Sequence, residues 1–481
     1  MPAEVILALD QGSSSTRCVA YDRHLQQRGS AVRPVSTRRP APTIVEHDPE
    51  ELLAGALEAI SEVVAETGAA VGAIGIANQT ESFVLWERGT GRAVTPVVSW
   101  QDQRASELCA EIARRPEAAD VREKTGLTLD PTFSAPKLAW LFEADAALRS
   151  RAESGELLFG DVACWLAWHL SGGAAHVTEP SNACRSLLVD LSTLRWDQAL
   201  LDLFGVPAAL LPEIRPSDGP GVRAGETDAP LAAMLGDQPA ALYGQGCTSP
   251  RMGALTLGTG AFLWLNVGAE PPEPPAGVLA TAAWEKADAG PTYALEAFCS
   301  NAGNALALLP ALGFATDGEP RGPEWSLPHP LVVPAPAGLG TPHWHGADRI
   351  TVLGASSTTT AADLAAATLA GVAHQIVDAL EAVDASGSAD VLRVGGGLSA
   401  HEGLLQAVAD LSGLALEVAA VPEATARGIA ALAAEASGLL DEAAPAPAIA
   451  RTVVPRLDDG GRARERSCWA EALAVHVRVE S

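Results

Sequence analysis

The same short pattern opens both halves of this chain. An apolar run at residues 5–8 leads through Leu9 into Asp10-Gln11-Gly12-Ser13-Ser14-Ser15-Thr16-Arg17, and a second apolar run follows at 18–21. About 240 residues later, 253–257 leads into Gly258-Thr259-Gly260 and on to the apolar 261–265. Each reads as strand, bend, strand, because glycine admits backbone angles that other residues avoid and apolar runs this short form strands. Such a bend turns N–H groups and hydroxyls into one concavity suited to phosphate oxygens. An ordinary polar hairpin uses the same residue types. The duplication favours phosphate, since two related α/β halves facing across a cleft would bring both bends to one polyphosphate.

At 481 residues the chain exceeds one comfortable core, and it divides as 1–246 and 247–481. Seven cysteines lie scattered, with no C-x-x-C and an odd total, which fits a reduced cytoplasmic protein better than a disulfide frame or zinc site. No apolar run reaches the length of a membrane span, and Glu4 and Asp10 lie where a secretory leader would be basic. A net charge of −27 disfavours nucleic acid or an anionic membrane as partner. A nucleotide remains compatible, because a few local N–H groups and Mg²⁺ can dominate a site.

Between the bends, Asp48-Pro49-Glu50-Glu51 starts a helix, with Asp48 as cap and Glu51 closing a capping box. Residues 71–76 form a strand that ends at Asn78-Gln79-Thr80-Glu81, and 93–99 an apolar stretch ending at Trp100-Gln101-Asp102. Polar clusters just past strand ends mark the ligand edge of an α/β sheet. Helices are expected at 157–170, 197–204, 361–383 and 424–436, and strands at 391–394 and 414–419. The segments 219–230, 270–275 and 327–344 read as loops, and 443–447 as a linker-like surface segment. Gly395-Gly396-Gly397, between strand and helix, lets a flat ligand or a phosphate approach the backbone.

Phosphate bends, a glycine run and the carboxylates Asp10, Glu81, Asp102 and Asp237 suit ATP-dependent phosphoryl transfer, which needs Mg²⁺, a phosphate cradle and a carboxylate base. Asp237, in Gly-Asp-Gln-Pro between the halves, is the base candidate, and Asp10 can hold hydrated Mg²⁺. His343-x-His345 shows no third ligand and reads as loop, not metal site.

With these motifs in order, including Val45-Glu-His-Asp48-Pro, Trp100-Gln-Asp, Asp130-Pro-Thr-Phe-Ser-Ala-Pro-Lys137-Leu and Gly338-Leu-Gly-Thr-Pro, the sequence resembles the FGGY carbohydrate kinases nearly end to end. Within that family it is nearest to the glycerol kinases. The resemblance implies an α/β fold of two actin-like (ribonuclease-H-like) domains with a catalytic cleft between them. It implies ATP and Mg²⁺ as cofactors and a small polyol or sugar as substrate, with Asp237 as general base and, with Asp10, metal ligand. Gly12, Ser13, Ser14, Arg17, Gly258, Thr259 and Gly303 would meet nucleotide phosphates, with Gly396, Gly397 and His401 on the adenine side. Thr80, Glu81, Trp100, Thr132, Gln238 and Phe262 would surround the acceptor. Homodimers or homotetramers are common among such relatives. Retention of Asp10, Asp237 and both bends argues against the rival readings, an idle actin-like ATP-binding protein or an ATPase without acceptor.

Two departures bear on the acceptor. Glycerol kinases have Arg and Tyr where this chain has Thr80 and Thr132, so bulk and donors are lost, and an acceptor somewhat larger than glycerol is expected, a polyol or a ketose, with a glycerol kinase proper or a pentulose kinase as the alternative. Gly395 and His401 stand where those enzymes have Asp and Asn, which alters the surroundings of the adenine.

Overall fold

The computed structural model describes residues 4–219, 221–225, 227–313, 322–325, 329–346, 349–384, 389–421, 423–440 and 444–478. Two large sheets organise it. In the first, the strands run in the order Val222–Arg223, Pro230–Gly236, Ala70–Asn78, Glu4–Gln11, Ser15–Tyr21, Gln27–Pro34. Glu4–Gln11 pairs antiparallel with Ser15–Tyr21 and parallel with Ala70–Asn78, which in turn lies parallel to Pro230–Gly236. The second sheet repeats this around Met252–Leu257, antiparallel to Ala261–Gly268 and parallel to Val391–Gly395, with Leu416–Ala419 beyond. Both glycine bends therefore join the first two strands of equivalent sheets, and the fold is the two-lobed α/β one expected.

Alternation explains why the opening strand is central. Val5, Leu7 and Leu9 enter one apolar cluster and Ile6 and Ala8 another, so the strand is buried on both faces. One face is covered by Pro49–Thr67 and Val162–Leu170, the other by Asp237–Gly244 and Ala424–Ala436. The last of these helices belongs by sequence to the second half but packs on the first sheet, so the chain crosses back between lobes. The second sheet is covered by Ala361–Val383 and Glu402–Ser412. Ala361–Val383 starts from a capping box of Thr360 with Asp363.

Several local expectations change. Asp48 caps its helix by accepting from Glu50 N–H, but Glu51 accepts from Ser36 N–H at 2.9 Å, so no box closes. Residues 157–170 divide into a strand, Leu157–Asp161, and a helix, Val162–Leu170, with Asp161 accepting from Cys164 N–H at the junction. Period alone does not separate a short buried strand from a buried helix. Only Val97–Val98 of 93–99 pairs as strand. Inside 219–230 lies the short strand Val222–Arg223. The 327–344 stretch contains the strand Leu331–Ala335, paired with Arg349–Leu353, while 327 and 328 lie outside the described residues. The 443–447 segment is fastened down, with Pro447 buried and Arg427 donating to Pro445 O; residue 443 lies outside the described residues.

Candidate active site

Three adjacent parallel strands of the first sheet deliver polar groups at their carboxyl ends. Glu4–Gln11 carries Asp10, Ala70–Asn78 runs out into Gln79-Thr80-Glu81, and Pro230–Gly236 hands over to Asp237. The register sets Asp10 beside Ala77, and Gly236 beside Asn78, so all three groups share one edge. They open into a cavity of about 490 Å³. Gly12, Ser13, Ser14, Arg17 and Gln238 line it from the first lobe, and Phe262, Trp264, Glu296 and Phe298 from the second. Trp100, Thr132 and Phe133 complete its walls.

Burial raises three carboxyls of the cavity, Asp10, Asp237 and Glu296. Burial pushes Asp237 from its ordinary value up to about 8, with the charges of Asp10 and Glu81 adding to the rise. Burial likewise raises Asp10 to about 6, against the opposing charge of Arg17. Asp237 Oδ1 accepts from Gln238 N–H at 2.8 Å. Two buried carboxyls in one cleft, the charge of Asp10 adding to the rise of Asp237, are a site for a proton or a divalent cation.

Glu81 sits at φ +61°, a left-handed conformation that non-glycine residues rarely adopt and that collects at functional sites. Surrounding bonds hold it there. Arg185 Nε donates to its Oε1 at 2.6 Å, Thr80 Oγ1 to its Oε2 at 2.8 Å, and Ser134 Oγ to its carbonyl at 3.0 Å. Arg185 Nη1 donates in turn to Glu296 Oε2 at 2.6 Å, across the lobe boundary. The guanidinium lies 5.2 Å from the Phe133 ring and 6.0 Å from that of Trp264. Burial alone would lower the Arg185 pKa, but Glu296 and Glu81 outweigh it and the net shift is upward, so the cation is permanent. Thr132 is held through its backbone: its N–H donates to Asp130 Oδ1 at 2.8 Å, and its carbonyl accepts from the buried Lys137 Nζ at 2.6 Å.

A second group gathers around the other bend. Gly303 N–H donates to Gly258 O at 3.0 Å and Asn304 N–H to Thr259 O at 3.1 Å. Gly396 lies against Leu257, where a Cβ would meet the Leu257 carbonyl at 2.4 Å. Gly258, Thr259, Gly396 and Gly397 are exposed, and none of the four lines the cavity described above. The glycines divide by cause. At 303 and 396 the protein's own backbone excludes a side chain, whereas a Cβ at Gly397 would meet nothing within 4 Å. Gly397 therefore leaves a flat surface that packing does not require.

Some expectations are corrected. The Gly12 and Gly258 N–H groups are spent closing their own bends on Ser15 O and Gly260 O, so neither is left to donate to phosphate; the hydroxyls of Ser13, Ser14 and Thr259 remain beside them. Arg17 lines the cavity, but its guanidinium is paired with Glu423. His401 is buried, and its Nδ1 accepts from Leu404 N–H, capping Glu402–Ser412. Asp102 lies outside the cavity, fully buried, accepting from Val45 N–H at 2.7 Å and pairing with Arg104 at 2.8 Å. His343 Nε2 meets Asp378 Oδ2 at 2.9 Å. Sequence reasoning did not single out Arg185, Glu296, Trp264 or Phe298. The partners of Arg185 lie 104 and 111 positions away in the chain, and only folding brings them together.

Comparison with known proteins agrees with the fold. The chain matches the FGGY carbohydrate kinase N-terminal domain over residues 5–245 and the C-terminal domain over 253–437. It belongs to the FGGY family of carbohydrate kinases, and it is an ATP-dependent kinase acting on an alcohol group. Among relatives, it is 41% identical to a glycerol kinase of Citrifermentans bemidjiense, covering 99% of each chain, and 40% identical to one of Halorhodospira halophila, covering 98% and 96%. A Plasmodium falciparum glycerol kinase with ADP superposes with a TM-score of 0.91 at 27% identity, covering 98% of each chain. A xylulose kinase of Lactobacillus acidophilus shares the fold, with a TM-score of 0.86 at 19% identity over 99% of each chain.

Proposed function

We propose that the enzyme transfers the γ-phosphoryl group of ATP to a hydroxyl of a polyol or ketose larger than glycerol. The observation that carries this is the pair Thr80 and Thr132, both lining the acceptor cavity where glycerol kinases carry Arg and Tyr. Small side chains there leave room for further carbons. They also forfeit donors to a glycerol-sized ligand, at about 1 kcal/mol or more for each lost bond. Trp100 and Phe262 supply flat walls for C–H faces, and Glu81 and Gln238 supply polar groups for hydroxyls.

Asp237 is the base in this reading. As the acceptor oxygen bonds to the γ-phosphorus, its proton passes to an Asp237 carboxylate oxygen, the bond from that phosphorus to the β–γ bridging oxygen breaks, and ADP leaves. Asp10 and Asp237 fit a divalent cation, because the like charges that raise Asp237 are the ones such an ion would offset. Mg²⁺ held there would neutralise phosphate charge. Ser13 and Ser14 present hydroxyls to the phosphates from the first bend, and Thr259 from the second; Gly397 gives the base a flat approach.

The test is a coupled assay across glycerol, erythritol, other tetritols, pentitols and pentuloses. A higher kcat/KM for a four- or five-carbon acceptor is the expected outcome, and a clear preference for glycerol overturns it. Glycerol itself is the second reading, favoured by the 41% identity to a glycerol kinase over nearly the whole chain.

A further inference from the structure

Glu81 is a first-lobe residue, and the arginine that holds its carboxylate is in turn gripped from the second lobe. Arg185 reaches it at 2.6 Å and is itself gripped at 2.6 Å by Glu296, which lies on Gly290–Cys299 of the second sheet. All three side chains are buried, and all three line the acceptor cavity. The segment carrying Arg185 packs against Leu279–Lys286 of that same sheet as well as against Ser134–Ala144 of the first lobe, so the guanidinium sits at the seam between the lobes. Left alone, the Glu81 backbone at φ +61° would relax toward a commoner region and take its carboxylate away.

We propose that Arg185 is a positioning residue of the acceptor site, anchored by Glu296, which holds Glu81 in its productive orientation and makes that orientation depend on how the lobes meet. Two of the five guanidinium donors engage carboxylates. Arg185 thus acts through Glu81, and the cavity keeps a fixed polar corner even though Thr80 and Thr132 are small. The inference rests on this cavity being the acceptor site but not on the size of the acceptor.

A double-mutant cycle tests it on whichever alcohol of the panel, glycerol included, the wild type uses best. Glu296→Gln keeps the shape of the strand and is expected to raise the acceptor KM about tenfold, with a much smaller change in the KM for ATP. In the Glu81→Gln background the same change should have little further effect, because the group being positioned is already altered. Arg185→Lys should restore part of what Arg185→Gln loses. Additive effects of the Glu296 and Glu81 changes, or acceptor and ATP KM values that rise together with a falling melting temperature, would overturn the positioning role. A wild-type enzyme that phosphorylates no alcohol of the panel would instead overturn the assignment of the cavity, and with it this inference.

Discussion

Chemistry at this site depends on a few residues whose surroundings change their properties. Asp237 shows this most clearly: burial and two neighbouring carboxylates lift it to about 8, which suits its proposed role as the base that takes a proton and gives it up again near neutral pH. Asp237→Asn keeps the shape but not the base, so turnover should fall about 10²–10⁴-fold while nucleotide binding, read by calorimetry, persists. Unchanged turnover would remove Asp237 from the mechanism. Gly397 is the complementary case, a residue that matters for what it lacks. Because nothing lies within 4 Å of its missing Cβ, Gly397→Val should fold normally yet raise the KM for ATP several-fold. If the KM for ATP stays the same, the base does not sit on that surface.

At the scale of elements, the site depends on two helices crossing almost in backbone contact. Asp237–Gly244 meets Ala424–Ala436 where a Cβ on Gly244 would fall 1.9 Å from Ala424 O, and one on Gly428 1.8 Å from Ala240 O. Asp237 opens the first of these helices, so the crossing also fixes the height of the proposed base. Gly428→Ala should therefore push the helices apart, destabilising the fold by about 1–3 kcal/mol, and should lower kcat as well. Urea unfolding and a turnover assay on the same preparation read both effects. A stable variant with reduced kcat would show that the crossing acts mainly on the site.

For the whole molecule, the cleft carboxylates link stability to pH. Asp10 and Asp237 are raised above their unfolded values, so the folded state holds their protons more tightly. The stability this gives is complete below about pH 4 and is lost as pH rises through about 6 and then about 8. A divalent cation on the ionised pair offsets that loss, so Mg²⁺ should raise the melting temperature more near pH 9 than near pH 5, and less so in Asp237→Asn. Equal increments at both pH values would place Mg²⁺ elsewhere. Local periodicity and bend chemistry were enough to show that the chain has two equivalent hairpins, to place the helices 361–383 and 424–436 at their observed ends, and to collect Asp10, Glu81 and Asp237 as candidates. Those features are written in neighbouring residues, where a side-chain pattern and its backbone consequence lie within a few positions of each other. The tertiary structure alone decided that Asp102 is a buried ion-pair partner outside the cavity, that His401 is a cap, and that Arg185 bonds residues 104 and 111 positions away in the chain. Such pairings follow from how two lobes and a returning helix pack, and no short stretch of sequence contains that geometry.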